Sequence, residues 1–348
     1  MNALQWLSRR STPIILAAVL AVLVYFLWWL NDSYLEDVAT NGCITLVMVM
    51  GFQLFMGNSG ILNWSYVGYV GIGAFASAIC SIEPDSKRLQ MPVMYEALIG
   101  IHMPYWAALL VGAAVAALAA AIIGFPLARL SDMAGAIAQF ALLVVFYTLL
   151  AQWQQVTNGP RTFTLGGTRS TTIWVALVVG VISIFVAYWF KESALGLRLR
   201  ASREDRYAAA SSGINVVATR YYGYIISAAV GGLAGGLFSH YILSITAKSF
   251  YLAELFLVLS MVIIGGSMSV TGAFAGCILI TIARQGLRQG EANLTNSGFD
   301  VSGMTEIVLA VLMILFLMLR PNGIAAGWEV RWRLPGRRAA RSDSKQRS

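Results

Sequence analysis

Charge is scarce in this sequence. Asp, Glu, Lys and Arg make up 11% of the 348 residues, hydrophobic residues make up 58%, and the mean hydropathy is +0.71. A soluble domain carries about a quarter of its residues as charges, so this chain has too few to cover a water-facing surface. Disorder is excluded on the same ground, because it needs low hydrophobicity and high charge. Cysteine is also rare. Cys43, Cys80 and Cys277 lie in apolar stretches, with no Cys-x-x-Cys pair and no neighbouring histidine. That excludes a disulfide framework and a thiolate zinc site, and all three are expected to be small buried hydrophobes. The two histidines, His102 and His240, are far apart in sequence, and each is expected at a membrane interface. No Gly-x-x-x-x-Gly-Lys-Ser/Thr loop and no His-Glu-x-x-His helix occurs. The chain therefore has no P-loop for ATP. It offers no catalytic constellation, and no cofactor or metal is expected.

What the sequence does contain is apolar runs. A membrane span needs about 20 apolar residues to cross about 30 Å of hydrocarbon. Ten candidates lie near 12–30, 39–56, 61–82, 104–124, 133–151, 171–190, 221–244, 252–265, 270–287 and 303–319. The expected fold is an all-α polytopic membrane protein of about ten transmembrane helices. The eighth and ninth runs are short and divided by Gly265-Gly266-Ser267-Met268, which allows two half-helices or a re-entrant pair. The first run is too long for a signal-peptide core and ends in Trp28-Trp29, an interfacial anchor. Glycines spaced by four, such as Gly231 and Gly235, Gly232 and Gly236, and Gly272 and Gly276, predict close helix contacts.

The cations are clustered. Eight of the 24 Lys and Arg lie from Arg320 to Arg347, and six more from Lys191 to Arg220. Clusters beside apolar spans are topology anchors, and they leave no patch for nucleic acid. With ten spans and both termini cytoplasmic, seventeen of the 24 cations fall on the cytoplasmic side. Residues 1–327 then form one transmembrane domain. Residues 328–348 form a basic cytoplasmic tail, expected to be disordered and held near anionic membrane lipid.

The one long polar stretch inside the bundle is 191–220. Ser202 followed by Asp205 suggests a helix start, and Gly213 a helix stop, which predicts a short helix of about ten residues, roughly 15 Å long. Glu204 and Ala208 are one turn apart on it, and the small residues at 208–211 give a smooth face for docking in a groove of another protein.

The stretch GLRLRASREDRYAAASSGINV resembles the coupling segment of permease subunits of branched-chain amino acid ATP-binding cassette importers. Arg203, Glu204, Asp205, Ala208, Ala209, Gly213, Ile214 and Asn215 carry that pattern. NSGILNWSYVGYVGIGAFASA at 58–78, MVIIGGSMSVTGAFAG at 261–276 and LRPNGIAAG at 319–327 resemble further family stretches. In the first of these, Leu62-Asn63-Trp64-Ser65-Tyr66 stands where the family usually has Leu-Ser-Leu-Gly-His. The resemblance implies a non-enzymatic transport subunit in a bacterial inner membrane. It also implies a homologous permease partner, two P-loop ATPase subunits that hydrolyse the ATP, and an external solute-binding protein. Arg203, Glu204, Asp205, Ala208, Ala209 and Gly213 would then meet an ATPase. Polar or helix-breaking positions that can line the path are Gln53, Asn58, Asn63, Glu254, Gly265 and Gly266, with Gln139 inside the fifth run. Glu254 has Lys248 as a nearby candidate partner. The rival reading is a self-sufficient channel or secondary transporter, and the scarcity of mid-span charges counts against proton coupling.

Overall fold

The computed structural model of the chain describes residues 3–91, 93–166, 169–296, 303–320, 323–325 and 327–329. In chain order the helices are α1 Ala3–Trp29, α2 Ser33–Ser59, α3 Tyr66–Ser81, α4 Pro84–Gln90, α5 Glu96–Ile99, α6 Tyr105–Arg129, α7 Asp132–Gln152 and α8 Gln154–Thr157. After them come α9 Ile173–Glu192, α10 Ala194–Glu204, α11 Arg206–Ser211, α12 Val216–Ile242, α13 Leu252–Gly265, α14 Val270–Asn296 and α15 Met304–Leu319. Two short strands, β1 Phe163–Thr164 and β2 Ser244–Ile245, pair antiparallel with Phe163 opposite Ile245.

The expected all-α membrane architecture is present, and each of the ten apolar runs corresponds to a helix. Among the described residues, eight helices are long and apolar enough to cross a membrane. They are α1, α2, α6, α7, α9, α12, α14, and α13 together with the 3-10 turn Ala247–Phe250 that precedes it. Helices α3 and α15 have 16 residues each, and α3 turns by 118° into α4. Several edges differ from the sequence expectation. Helix α2 begins earlier, at Ser33, because the Asp32 carboxylate accepts the Tyr34 N–H at 2.9 Å and caps it. Helix α3 begins later, because the chain from Gly60 to Ser65 is a loop.

Helix α2 is the axis of the bundle. Every residue from Cys43 to Ser59 is buried, as expected of a helix that is apolar all round. Around it pack α1, α9, α12, α13 and α14, and Tyr66, the first residue of α3, donates its hydroxyl to the Met48 carbonyl at 2.8 Å. Helices α1, α6 and α7 present Val22, Leu110, Leu118, Ile122, Ile137 and Val145 outward, as a lipid-facing surface does.

Small residues set the helix spacing. The buried stripe of α6 runs Ala108, Gly112, Ala116, Ala120, Gly124 and Ala128, one small residue per turn. Helix α12 lies against it with Gly232, where an added Cβ would come within 2.5 Å of the Ala116 Cβ. At Gly235 an added Cβ would lie 2.0 Å from the Val70 carbonyl oxygen, and at Gly276 it would lie 2.0 Å from that of Met261. These approaches bear out the glycine spacing read from the sequence. Lipid gives no hydrophobic drive between spans, so close backbone approach and dispersion hold them together.

Gly235→Leu is expected to destabilise the bundle by at least about 1–3 kcal/mol, the usual cost of overpacking. Gly286→Leu, on open space with nothing within 4 Å of an added Cβ, is expected to be neutral. Thermal melting of the detergent-purified variants checks the contrast.

Candidate functional site: the coupling segment and two helix junctions

The polar segment after α9 folds into two helices, not one. Ser193 opens α10, its Oγ accepting the Gly196 N–H at 3.2 Å. The single helix expected from Ser202 to Gly213 is broken at Asp205, which is extended at φ −151° and ψ 114°. The physical reason is a competing cap. The Asp205 carboxylate accepts the N–H groups of Tyr207 at 2.8 Å and Ala208 at 2.9 Å, and so starts α11. Ser202 caps nothing, because its Oγ donates back to the Leu199 carbonyl at 2.8 Å. The glycine stop is as expected. Gly213 has φ +82°, and Ile214 N donates to Ala209 O at 3.1 Å while Gly213 N donates to Ala210 O at 3.0 Å. This is a Schellman closure.

The predicted coupling residues divide between two faces. Glu204, Asp205, Ala208 and Gly213 are exposed, and beside them Tyr207 is 85% exposed. Ala209 is turned inward. Arg203 also points back into the bundle, where its Nη1 donates to the Gly57 carbonyl at 3.1 Å near the end of α2. Its aliphatic stem lies over Gly60, where an added Cβ would meet Arg203 Cγ at 2.9 Å.

Gly57 and Gly60 belong to the α2–α3 junction. Gly60 closes α2 in the left-handed conformation, at φ +74°. Past the loop, Ser65 Oγ donates to Asn63 Oδ1 at 3.1 Å and lies 2.6 Å from the Tyr224 hydroxyl, which donates to the Tyr69 hydroxyl at 3.1 Å. The Gly265-Gly266 break forms a second junction, between α13 and α14. Ser269 opens α14, its Oγ accepting the Gly272 N–H at 2.8 Å. The pattern Ser-x-x-Gly begins the helix at both places, as Ser65 to Gly68 and as Ser269 to Gly272. The junctions touch. A Cβ added to Gly57 would lie 2.4 Å from the Ser267 carbonyl oxygen.

A third segment completes the site. Ile324 N donates to Ile264 O at 2.9 Å, and Ala325 N donates to Gly265 O at 3.0 Å. The closing stretch thus takes two of the last carbonyls of α13. The Glu329 carboxylate accepts Val270 N at 2.9 Å, Thr271 N at 3.2 Å and the Thr271 hydroxyl at 2.6 Å, so it caps α14. Lys191, in the last turn of α9, donates to Glu329 Oε1 and, at 2.8 Å, to the Met268 carbonyl. Both ionic side chains are 6% exposed. Sequence reasoning missed this pair. From the sequence Lys191 reads as a topology cation, and Glu329 falls in the tail expected from residue 328 onward. The packed structure extends at least to Glu329, and the expected tail from Arg331 onward lies outside the described residues.

The path candidates are placed as follows. Gln53 is fully buried, and neither of its amide atoms meets a hydrogen-bond partner among the described residues. Its Nε2 lies 2.8 Å from where a Gly57 Cβ would be, beside the contact of the two junctions. Asn63 is buried, and its Nδ2 meets no hydrogen-bond partner among the described residues, whereas Asn58 Nδ2 donates to Leu54 O at 2.9 Å within its own helix. The carbonyls of Gly265 and Gly266 accept Ala325 N at 3.0 Å and Ser269 N at 3.2 Å. Glu254 is half-buried in the first turn of α13, within electrostatic reach of Arg284 and Arg288 of α14. Gln139 is buried, its Oε1 without a partner among the described residues, and it lines a small cleft with Arg220 and Tyr224. The two histidines come together, which the sequence did not signal. His102 and His240 border one cavity of about 230 Å³ with Ser81, Tyr105 and Ser170. No cluster of three or more metal-ligating side chains occurs among the described residues.

These apolar helices define a multi-pass membrane protein. Residues 34–317 match the family described as the permease component of branched-chain amino acid transport systems. The chain belongs to that family and is a transport permease subunit. It is similar to the high-affinity branched-chain amino acid transport system permease protein LivM of Salmonella typhimurium, at 26% identity over 91% of this chain and 76% of that one. The LivM protein of Escherichia coli is also 26% identical, over 83% of this chain and 69% of its own length. The nucleoside ABC transporter permease protein NupC of Lactococcus lactis is 28% identical, over 53% of this chain and 61% of its own length.

Asp205→Ala is expected to remove the α11 cap at a cost of about 1 kcal/mol. Faster hydrogen exchange confined to residues 207–211 is the expected readout. Asp205→Asn, which keeps an acceptor, is expected to stay near the parent rate.

Proposed function

We propose that the chain forms half of the translocation path of an ATP-binding cassette importer in a bacterial inner membrane. The family match over residues 34–317 is the observation that carries this reading. A homologous permease supplies the other half of the path. Two P-loop ATPase subunits drive transport, one of them seated on the exposed face of Glu204, Tyr207 and Ala208. An external solute-binding protein delivers the solute to the opposite end. Ten spans with both termini cytoplasmic fit the placement of the cations, seventeen of 24 on that side. They also fit the clustering of α10, α11, Glu329 and both junctions at one end of the bundle.

The solute is a branched-chain amino acid or a related small amide- or urea-like molecule. The relatives that cover 91% and 83% of this chain are named for branched-chain amino acid transport, and the nucleoside relative covers 53%. Gln53 and Asn63 are the best-supported path residues, because a buried amide without a partner is costly and a passing polar solute can supply one. Glu254, with Arg284 and Arg288 nearby, is placed to meet the solute near its entry. Asn58, Gly265 and Gly266 already have backbone partners and shape the path through the junctions. ATP binding closes the ATPase pair, the closure displaces α10 and α11, and the spans tilt to alternate access.

Uptake of radiolabelled leucine into liposomes containing the complex purified from its native membrane tests the reading. Uptake is expected to require internal ATP. Glu204→Lys, which leaves the Asp205 cap in place, is expected to lower uptake at least tenfold and release the ATPase subunits, with membrane insertion unchanged. Leucine uptake by the isolated chain without ATP would contradict the importer and favour a channel or secondary transporter.

A further inference from the structure

We propose that Lys191 and Glu329 are positioning residues for transport. Together they fasten the coupling segment to the α13–α14 junction, while Arg203 fastens it to the α2–α3 junction. A displacement of the segment then reaches both junctions at once. This inference rests on the importer reading.

Three features carry it. The first is geometry. Lys191 stands two residues before the Ser193 cap of α10, and its ammonium binds the Met268 carbonyl inside the second junction. Arg200 tightens the same corner, its Nη2 donating to the Lys191 carbonyl at 2.7 Å. At the far end of α10, Arg203 binds Gly57 O in the first junction at 3.1 Å. One eleven-residue helix is therefore anchored near each end to a different junction.

The second is the cap. The Glu329 carboxylate takes the N–H groups of Val270 and Thr271 at the start of α14, where the helix dipole favours an anion. The same carboxylate receives Lys191. Moving Lys191 therefore moves the group that holds the first turn of α14.

The third is the type of contact. A buried ion pair adds little stability compared with well-packed apolar residues, because both charges must be desolvated. Packing alone does not require Lys191 and Glu329, whereas a directional link between a helix end and a junction does. The junctions themselves meet at Gly57 and Ser267, with no room for a Cβ between them. A push on one is transmitted to the other.

The test uses the complex purified from native membranes and reconstituted in liposomes, with ATP hydrolysis and leucine uptake read together. Removing Lys191 alone would leave Glu329 buried without its cation, so both charges are removed together. The informative variant is Lys191→Met with Glu329→Gln, in which both charges are gone and an acceptor still faces α14. It is expected to melt near the wild-type temperature and keep ATP hydrolysis within about twofold. Leucine taken up per ATP is expected to fall at least tenfold. Lys191→Arg, which keeps a cation facing Glu329, is expected to retain most of the wild-type ratio. A double variant with the wild-type ratio of uptake to hydrolysis would overturn the proposal, leaving the pair a structural cap. Failure of the wild-type complex to couple uptake to ATP would instead overturn the importer reading, so the two failures are distinct.

Discussion

A helix that stops inside an apolar bundle leaves carbonyls and amides without partners, and hydrocarbon supplies none. This constraint governs the end of the molecule where α2 gives way to α3 and α13 to α14. Each junction must find its own donors and acceptors. The first uses Arg203 and the Gly60 turn, and the second uses the closing stretch and Glu329. Segments distant in sequence, near residues 60, 200, 266 and 325, are drawn together because each satisfies polar groups that another exposes.

The rest of the bundle gives these contacts a stiff frame. Where backbones approach as closely as at Gly232, Gly235 and Gly276, helices cannot slide without a clash. Close-packed interiors transmit strain and do not absorb it. Motion delivered to the junctions is then passed along α2, which is buried from Cys43 to Ser59 and touches most of the spans.

Much of this was legible in the sequence, and the limits have physical reasons. Apolar runs are long and cumulative signals, so each of the ten coincides with a helix, but their edges are set locally: the Asp32 cap starts α2 early, the loop from Gly60 to Ser65 delays α3, and α1 and α14 run past the ends of their apolar stretches. The coupling segment stood out because it is the one polar stretch inside the bundle. Its internal break did not, because Ser202 and Asp205 are both plausible caps, and only the backbone at Asp205 tells which is used. The Lys191–Glu329 pair joins residues 138 positions apart, and no local pattern announces such a contact. An acid, Glu329, at the head of a stretch dominated by arginine was the available clue. The meeting of His102 and His240 at one cavity is hidden for the same reason.

The account's central claim is that the coupling segment and both junctions move as one body. Spin labels at Leu197 of α10 and Met268, both exposed, allow a direct check in the assembled complex by pulsed electron resonance. Met268 can be paired with Leu197, and Leu197 with Leu89, which is 85% exposed in α4. The account predicts that the Leu197–Met268 distance is the same with and without ATP, while the Leu197–Leu89 distance changes. A Leu197–Met268 distance that shifts with nucleotide as much as the Leu197–Leu89 distance would contradict it.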